Sequence, residues 1–298
     1  MFLKKTNVIS KENVKNIENK DLFKQNYPAD FIAEGVDQTR GWFFTLHAIS
    51  SMVFNKVAYK NVISNGLVLD KNGMKMSKRL GNAVDPFETM DKYGADALRW
   101  YMLTNASPWD NLRFDMDGLE EVRRKFFGTL HNTYAFFALY ANVDGFQFKE
   151  APIPVLDRPE MDQWILSELN SLIAQVVNGM EAFEPTRAFR PIQEFTTEKL
   201  SNWYVRLGRR RFWKGHYEAD KISAYQTLWT CLETLSRLMA PLAPFYADRL
   251  YQDLHEGVVL KAENSVHLTQ YPSSNSALIH SELEHKINTA RKLTSLVL

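Results

Sequence analysis

Four cations, Lys71, Lys75, Lys78 and Arg79, fall within the stretch "DKNGMKMSKRLGN" (residues 70–82), between Gly73 and Gly81 or just before them. Lys75 and Lys78 are compact charges on flexible stems, suited to following a phosphate as charge moves during a reaction. The two glycines are candidate hinges. A second set, Glu34, Asp37 and Gln38, lies where a β-like run gives way to a helical one. That is the usual ligand edge of an open α/β sheet, where free helix amides also collect and where Asp37 could cap the helix. A third set spans "EKLSNWYVRLGRRRFWKGHYE", in which Lys199, Arg206, Arg209, Arg210, Arg211 and Lys214 occur between Glu198 and Glu218 with no acid among them. Trp203, Tyr204, Phe212 and Trp213 are interleaved. Arginines suit phosphates and aromatic faces suit unstacked bases such as those of an RNA loop, while a basic helix face over buried aromatics is the other reading of the same stretch.

The elements that must position these residues are legible from periodicity. "ADFIAEG" (29–35) predicts a strand. Trp42, Leu46, Ile49 and Val53 recur at helical spacing and predict a helix from about Asp37 to Phe54. "NVISNGLVLD" predicts a second strand, and Lys71-Asn72-Gly73 a turn. Strand, helix, strand at this spacing makes one parallel βαβ unit. Beyond the basic loop, Asp85 and Pro86 read as the N-cap and first position of a short helix, and "ADALRWYMLTN" as another. Leu119, Val122, Phe126, Leu130, Phe137 and Ala141 share one face of a long helix over 117–141. A linker containing prolines precedes three more helical stretches, at about 160–182, 186–213 and 221–252. The fold class is therefore an α/β remnant followed by an all-α helical bundle.

Composition sets bounds. The 298 residues carry a formal charge of +1, so RNA affinity must come from local patches. A lone cysteine, Cys231, excludes an internal disulfide framework and a thiolate zinc cluster. No apolar run is long enough to span a membrane and the start has no signal-peptide core, which predicts a cytoplasmic protein without a membrane partner.

"KMSKRLGN" resembles the lysine-methionine-serine-lysine loop of class I aminoacyl-tRNA synthetases, with Arg79 where many members carry serine. "PADFIAEGVDQTRGWFF" is similar to the sequence preceding that loop in isoleucyl-tRNA synthetases. "NVISNGLVL" matches the strand before the loop, with Asn65 where many bacterial members have histidine. "YGADALRWYMLTNASP" resembles the stem-contact helices, and the basic stretch resembles the anticodon-binding domain shared by isoleucyl and valyl enzymes. The resemblance implies the second half of a Rossmann-type catalytic domain over 18–117 and a helical anticodon-binding domain over 118–298, and it leaves residues 1–17 unassigned. It implies adenylate contacts from Glu34, Gly35, Asp37, Gln38 and Asn65. ATP would meet Lys75, Met76, Ser77, Lys78 and Arg79, with Lys75 and Lys78 catalytic. tRNA would meet Arg206, Arg209, Arg210, Arg211, Trp213 and Lys214.

The implied function is isoleucine–tRNA ligase, with isoleucine, ATP accompanied by Mg2+, and tRNA(Ile) as partners. No residue set specifies a zinc or other metal site. The family's histidine, apolar, glycine, histidine motif is missing, since the seven histidines contain no such pair, and the stretch implied as the editing domain is missing as well. The chain thus reads as a portion of the enzyme, expected to be inactive without the N-terminal half. The alternatives are a non-catalytic tRNA-binding module and, with less support from "GVDQTRGWF", a valyl-type relative.

Overall fold

The computed structural model describes residues 20–297, so the unassigned segment 1–17 lies outside the described residues. The chain divides into two compact units, one running to Leu69 with residues 108–112, the other comprising residues 70–107 and 113–298.

In the first unit, α1 (Lys20–Asn26) leads into β1 (Ala29–Gly35), α2 (Trp42–Phe54) and β2 (Tyr59–Asn65). The strands pair in parallel, in register from Ala29 opposite Tyr59 to Gly35 opposite Asn65, as a βαβ unit requires. Two boundaries differ from the sequence expectation. The helix begins at Trp42 rather than Asp37, because Val36–Arg40 forms a 3-10 turn that Gly41 breaks with non-helical dihedrals. The second strand stops at Asn65, where the Gly66 N–H leaves the ladder and donates to the Pro108 carbonyl at 2.8 Å; a two-residue strand, β3 (Val68–Leu69), follows. On α2 the packed side is Phe43 and Ser50, while Trp42, Ile49 and Val53, three of the positions that revealed the helix, remain exposed. Two strands are too narrow to cover more than one edge of a helix.

The second unit is helical. α3 (Pro86–Tyr93) starts as expected, with Asp85 accepting from the Phe87 and Glu88 amides at 2.8 and 3.2 Å. α4 (Ala95–Asn105) follows, then α5 (Met116–Glu121), a π-helical stretch (Val122–Phe127) and α6 (Gly128–Asp144) in unbroken succession. All six apolar positions expected along this helix are buried. α7 (Glu160–Glu181) comes next, and α8 (Pro185–Glu194) runs through a second π-helical stretch (Phe195–Val205) into α9 (Arg206–Trp213). The helix expected over 221–252 is two: α10 (Ala219–Met239) and α11 (Pro244–His255). Pro241 and Pro244 offer no N–H to continue the ladder, so the chain turns between them. α12 (Ser281–Val297) closes the described chain.

α4 is fastened to the bundle at both ends. Asp96 accepts from the Tyr246 amide at 2.6 Å, and Arg99 Nε donates to the Leu242 carbonyl at 2.9 Å. At its other end, Arg190 caps the Thr104 and Asn105 carbonyls at 2.6 and 2.8 Å, and the Thr186 hydroxyl donates to the Leu103 carbonyl at 2.7 Å. Those carbonyls have no partner within the helix, so the caps satisfy groups that burial would otherwise orphan. Between the ends, fully buried Trp100 stacks on Phe126 with ring centroids 4.4 Å apart. The helices that follow the basic loop are therefore part of the same packed body as the bundle.

Candidate functional site

Within the first unit, the parallel register brings Glu34 level with Ser64 and Gly35 level with Asn65, at the C-terminal ends of β1 and β2. Glu34 is exposed and Asn65 half-buried. The 3-10 turn places Asp37 and Gln38 directly after this edge. Gln38, not Asp37, caps α2: its Oε1 accepts from the Trp42 amide at 2.9 Å. Its Nε2 donates to Asp37 Oδ2 at 2.9 Å, which fixes the orientation of an exposed carboxylate. The carboxylates of Glu34 and Asp37 thus stand at a strand edge beside a helix start, where they can accept hydrogen bonds from a ligand's hydroxyls.

The basic loop belongs to the second unit. Gly73 and Gly81 adopt φ of 82° and 66°, the left-handed region that other residues enter at a cost, so the loop's two bends fall where glycine stands. Ser77 caps the 3-10 turn Lys78–Leu80, its Oγ accepting from the Leu80 amide at 3.2 Å. Met76 and Ser77 are half-buried, whereas Lys75, Lys78 and Arg79 are exposed and their side chains form no ion pair or hydrogen bond among the described residues. Asp70, the sole acid of the stretch 70–82, is turned to neutral partners. Its Oδ1 accepts from the Asn72 and Met74 amides at 3.0 and 2.8 Å, and its Oδ2 from Asn82 Nδ2 at 2.9 Å. The Asn82 hydrogen bond, with help from those amides, holds the Asp70 carboxyl below the usual carboxylate range. It stays ionised at neutral pH without neutralising the lysines.

In the bundle, the basic stretch separates into an inner and an outer face. Arg211 is 19% exposed and grips fully buried Asp162 with two hydrogen bonds of 2.6 and 2.8 Å; it also reaches Asp220. Tyr204 Oη and Ser223 Oγ donate to the same Asp162 carboxylate at 2.8 and 2.6 Å. Burial, reinforced by the Asp162 charge, pushes the Tyr204 phenol well above its ordinary range. Lys199 pairs with buried Glu168 at 2.6 Å. Tyr204 and Phe212 are core residues. Arg206, Arg209, Arg210, Trp213 and Lys214 are exposed instead, and the four cations make no ion pair among the described residues. At about 100° per residue the four of these positions on α9, Arg206, Arg209, Arg210 and Trp213, fall within an arc of roughly 100°, and Lys214 follows the helix with extended backbone.

Sequence reasoning missed Asp162, Asn82 and the pair Asp96 and Arg99. Asp162 interrupts an apolar pattern near the start of α7, the one signal that could have marked it as a buried hub. Among the described residues, no group of three or more His, Cys, Asp or Glu is placed to hold a metal ion. No described helix is long and apolar enough to cross a membrane.

Residues 8–115 match the family of class I tRNA synthetases (I, L, M and V), and residues 162–297 match the anticodon-binding domain of tRNA ligases. The isoleucine–tRNA ligase of Cytophaga hutchinsonii is 64% identical over 280 residues, covering 94% of this chain and 25% of that protein. That of Bacteroides fragilis is 65% identical over 283 residues with the same coverage. The Thermus thermophilus enzyme is 44% identical, covering 94% of this chain and 27% of its own length. The chain spans about a quarter of the length of these curated relatives. Among solved structures, the LeuRS of Agrobacterium radiobacter K84 (agnB2), in a ternary complex with tRNA and LeuAMS, shares the fold. Its TM-score is 0.62 at 21% identity, over 86% of this chain and 30% of that one. The two family matches, over residues 8–115 and 162–297, together with relatives 64 and 65% identical over 94% of the chain, place it in the class I aminoacyl-tRNA synthetase family. The relatives named here are isoleucine–tRNA ligases.

Proposed function

We propose that this chain supplies the loop half of the catalytic site and the anticodon-binding bundle of an isoleucine–tRNA ligase acting in the cytoplasm. In the reaction, a carboxylate oxygen of isoleucine attacks the α-phosphorus of ATP, the bond to the β-phosphate oxygen breaks, and pyrophosphate leaves. The ribose hydroxyl of tRNA(Ile) then takes the aminoacyl group and releases AMP. Magnesium travels with ATP in this reading and is not assigned protein ligands. Lys75, Lys78 and Arg79, with the loop backbone at Met76 and Ser77, stabilise charge on the phosphates as pyrophosphate departs. Glu34, Gly35, Asp37, Gln38 and Asn65 hold the adenylate, chiefly at its ribose. One observation carries the phosphate reading: three exposed loop cations lack a carboxylate partner among the described residues, while the acid beside them is bonded to amides. The choice of isoleucine rests on the identity of the relatives.

For tRNA, the outer face of α9 is assigned through Arg206, Arg209, Arg210, Trp213 and Lys214. Arg211 leaves this set, because its guanidinium is committed to Asp162 and Asp220. A tRNA-binding module without catalysis is the second reading, for which the exposed cations Arg206, Arg209, Arg210 and Lys214 of the bundle would suffice.

ATP–pyrophosphate exchange separates the two. Residues 1–298 alone should give negligible isoleucine-dependent exchange, and an N-terminal half of such a ligase added in trans should raise it. Lys78→Ala in that complex should lower exchange roughly 100-fold, the scale of removing one donor aimed at developing negative charge. Robust exchange by the chain alone, or an unaffected Lys78→Ala complex, would refute the assignment. Absence of exchange in every combination, with tRNA binding intact, would select the binding module.

A further inference from the structure

The basic loop is held from its base by two residues outside the Lys75–Arg79 signature. Asn82 uses both ends of its amide. Its Oδ1 accepts from the Ser77 N–H at 2.9 Å, and its Nδ2 donates to Asp70 Oδ2 at 2.9 Å and to the Lys75 carbonyl at 3.3 Å. Asp70 in turn receives the Asn72 and Met74 amides on Oδ1, and its own N–H donates to the Met74 carbonyl at 2.9 Å. Two short side chains, twelve positions apart, therefore engage backbone groups of Asn72, Met74, Lys75 and Ser77. The lysine side chains take no part in this network and extend outward from it.

We propose that Asp70 and Asn82 are positioning residues for the phosphate-binding loop, cross-linking its two ends so that Lys75, Lys78 and Arg79 are presented together before an anion arrives. The inference rests on reading those cations as phosphate ligands. Three consequences of the geometry support it. A loop bent by two left-handed glycines would otherwise sample many shapes, and ordering it on binding would subtract from affinity. The amide of Asn82 satisfies the Ser77 N–H, so the segment between the glycines is fixed by side chains from its own base. The Asp70 charge is spread over amide donors, which prevents the ion pair with Lys75 or Lys78 that a free aspartate would offer. Asp70 is thus a carboxylate that organises a cationic loop without quenching it.

The test uses the chain as it stands, with Asn82→Ala and with the reciprocal exchange Asp70→Asn plus Asn82→Asp. The exchange preserves the link with donor and acceptor reversed. The carboxamide introduced at position 70 would donate to the carboxylate introduced at position 82. That carboxylate still accepts the Ser77 amide, and only the 3.3 Å contact to the Lys75 carbonyl is given up. Two rates are read, hydrogen exchange of the Met74 and Ser77 amides and tryptic cutting after Lys75, Lys78 and Arg79, each with and without millimolar inorganic pyrophosphate. Asn82→Ala should raise both rates about fivefold or more at an unchanged thermal midpoint, as loss of one net hydrogen bond implies. It should also need several-fold more pyrophosphate for the same protection, and the reciprocal exchange should reverse most of both effects. Unchanged rates in Asn82→Ala would overturn the cross-link. Raised rates with unchanged pyrophosphate protection would overturn the positioning role and leave a merely structural bond. If pyrophosphate protects no variant, wild type included, the phosphate reading itself falls and the positioning role with it, while the ligand-free rates still report the cross-link separately.

Discussion

Arg211 and its neighbours Arg209 and Arg210 should respond to the same substitution in opposite ways. Arg211→Gln removes two charge-assisted hydrogen bonds from a carboxylate that is fully buried and would keep only Tyr204 and Ser223 as donors. Taking one partner from a buried ion pair costs about 3–5 kcal/mol. The exposed arm to Asp220 adds little, since that carboxylate is 61% exposed and screened by solvent. At roughly 2–4 °C per kcal/mol for a body of this size, the melting midpoint should fall by on the order of 10 °C. The double change Arg209→Gln with Arg210→Gln should leave the midpoint nearly unmoved, because neither side chain has an ion-pair partner among the described residues. Binding to tRNA, measured by titration at several salt concentrations well below the melting transition, should show the converse. Each phosphate contact contributes about 0.7–0.9 to the slope of log affinity against log salt, so the double change should flatten the slope by roughly 1.5 if both contact phosphate. Arg211→Gln, while folded, should keep the wild-type slope. A flattened slope with an unchanged midpoint for Arg211→Gln would refute the division into inner and outer faces. An unchanged slope for the double change would show that the outer face does not meet RNA.

The buried Asp96 predicts a pH dependence. Burial raises its carboxyl above the ordinary value, with the Tyr246 and Phe245 amides opposing, and its Oδ1 has no hydrogen-bond partner among the described residues. The folded protein therefore holds this proton more tightly than the unfolded chain does, so the stabilisation from protonation is present at low pH and is lost as pH rises through the folded value. Asp96→Asn should match wild type below about pH 4 and melt higher than wild type at neutral pH, provided the Asn oxygen still accepts from the Tyr246 amide; a lower melting point at neutral pH would contradict this. Trp100→Ala, which empties a fully buried site between Phe126, Phe127 and Phe189, should cost about 3–5 kcal/mol in denaturant unfolding of the second unit, and a loss under about 1 kcal/mol would show that α4 is not packed as described.

The sequence determined the elements and the chemical vocabulary of the site. Apolar spacing located the long helix through Leu119, Phe126 and Leu130, and alternation located the parallel pair, because burial on one face imposes a period that survives in one dimension. Asp85 and Pro86 marked a helix start correctly because capping is local. The loop was legible for the same reason: Gly73, Lys75, Lys78 and Gly81 act within a few residues of one another. What the sequence left undecided depends on partners far along the chain. Six cations between Glu198 and Glu218 look alike as letters, and only the phase of α9, set by the π-helical stretch before it and by Asp162 on α7, sends Arg211 inward and Arg206, Arg209 and Arg210 outward. Gln38 displaced Asp37 as the cap of α2 because a 3-10 turn intervenes, and α10 parted from α11 where two prolines withhold donors. The clasp of α4 by Asp96, Arg99, Thr186 and Arg190 joins positions more than 80 residues apart. Local propensity is written in the sequence, whereas the choice of which charge is buried and which is free is made by packing, since burial penalises an unpaired charge and leaves a solvated one nearly untouched.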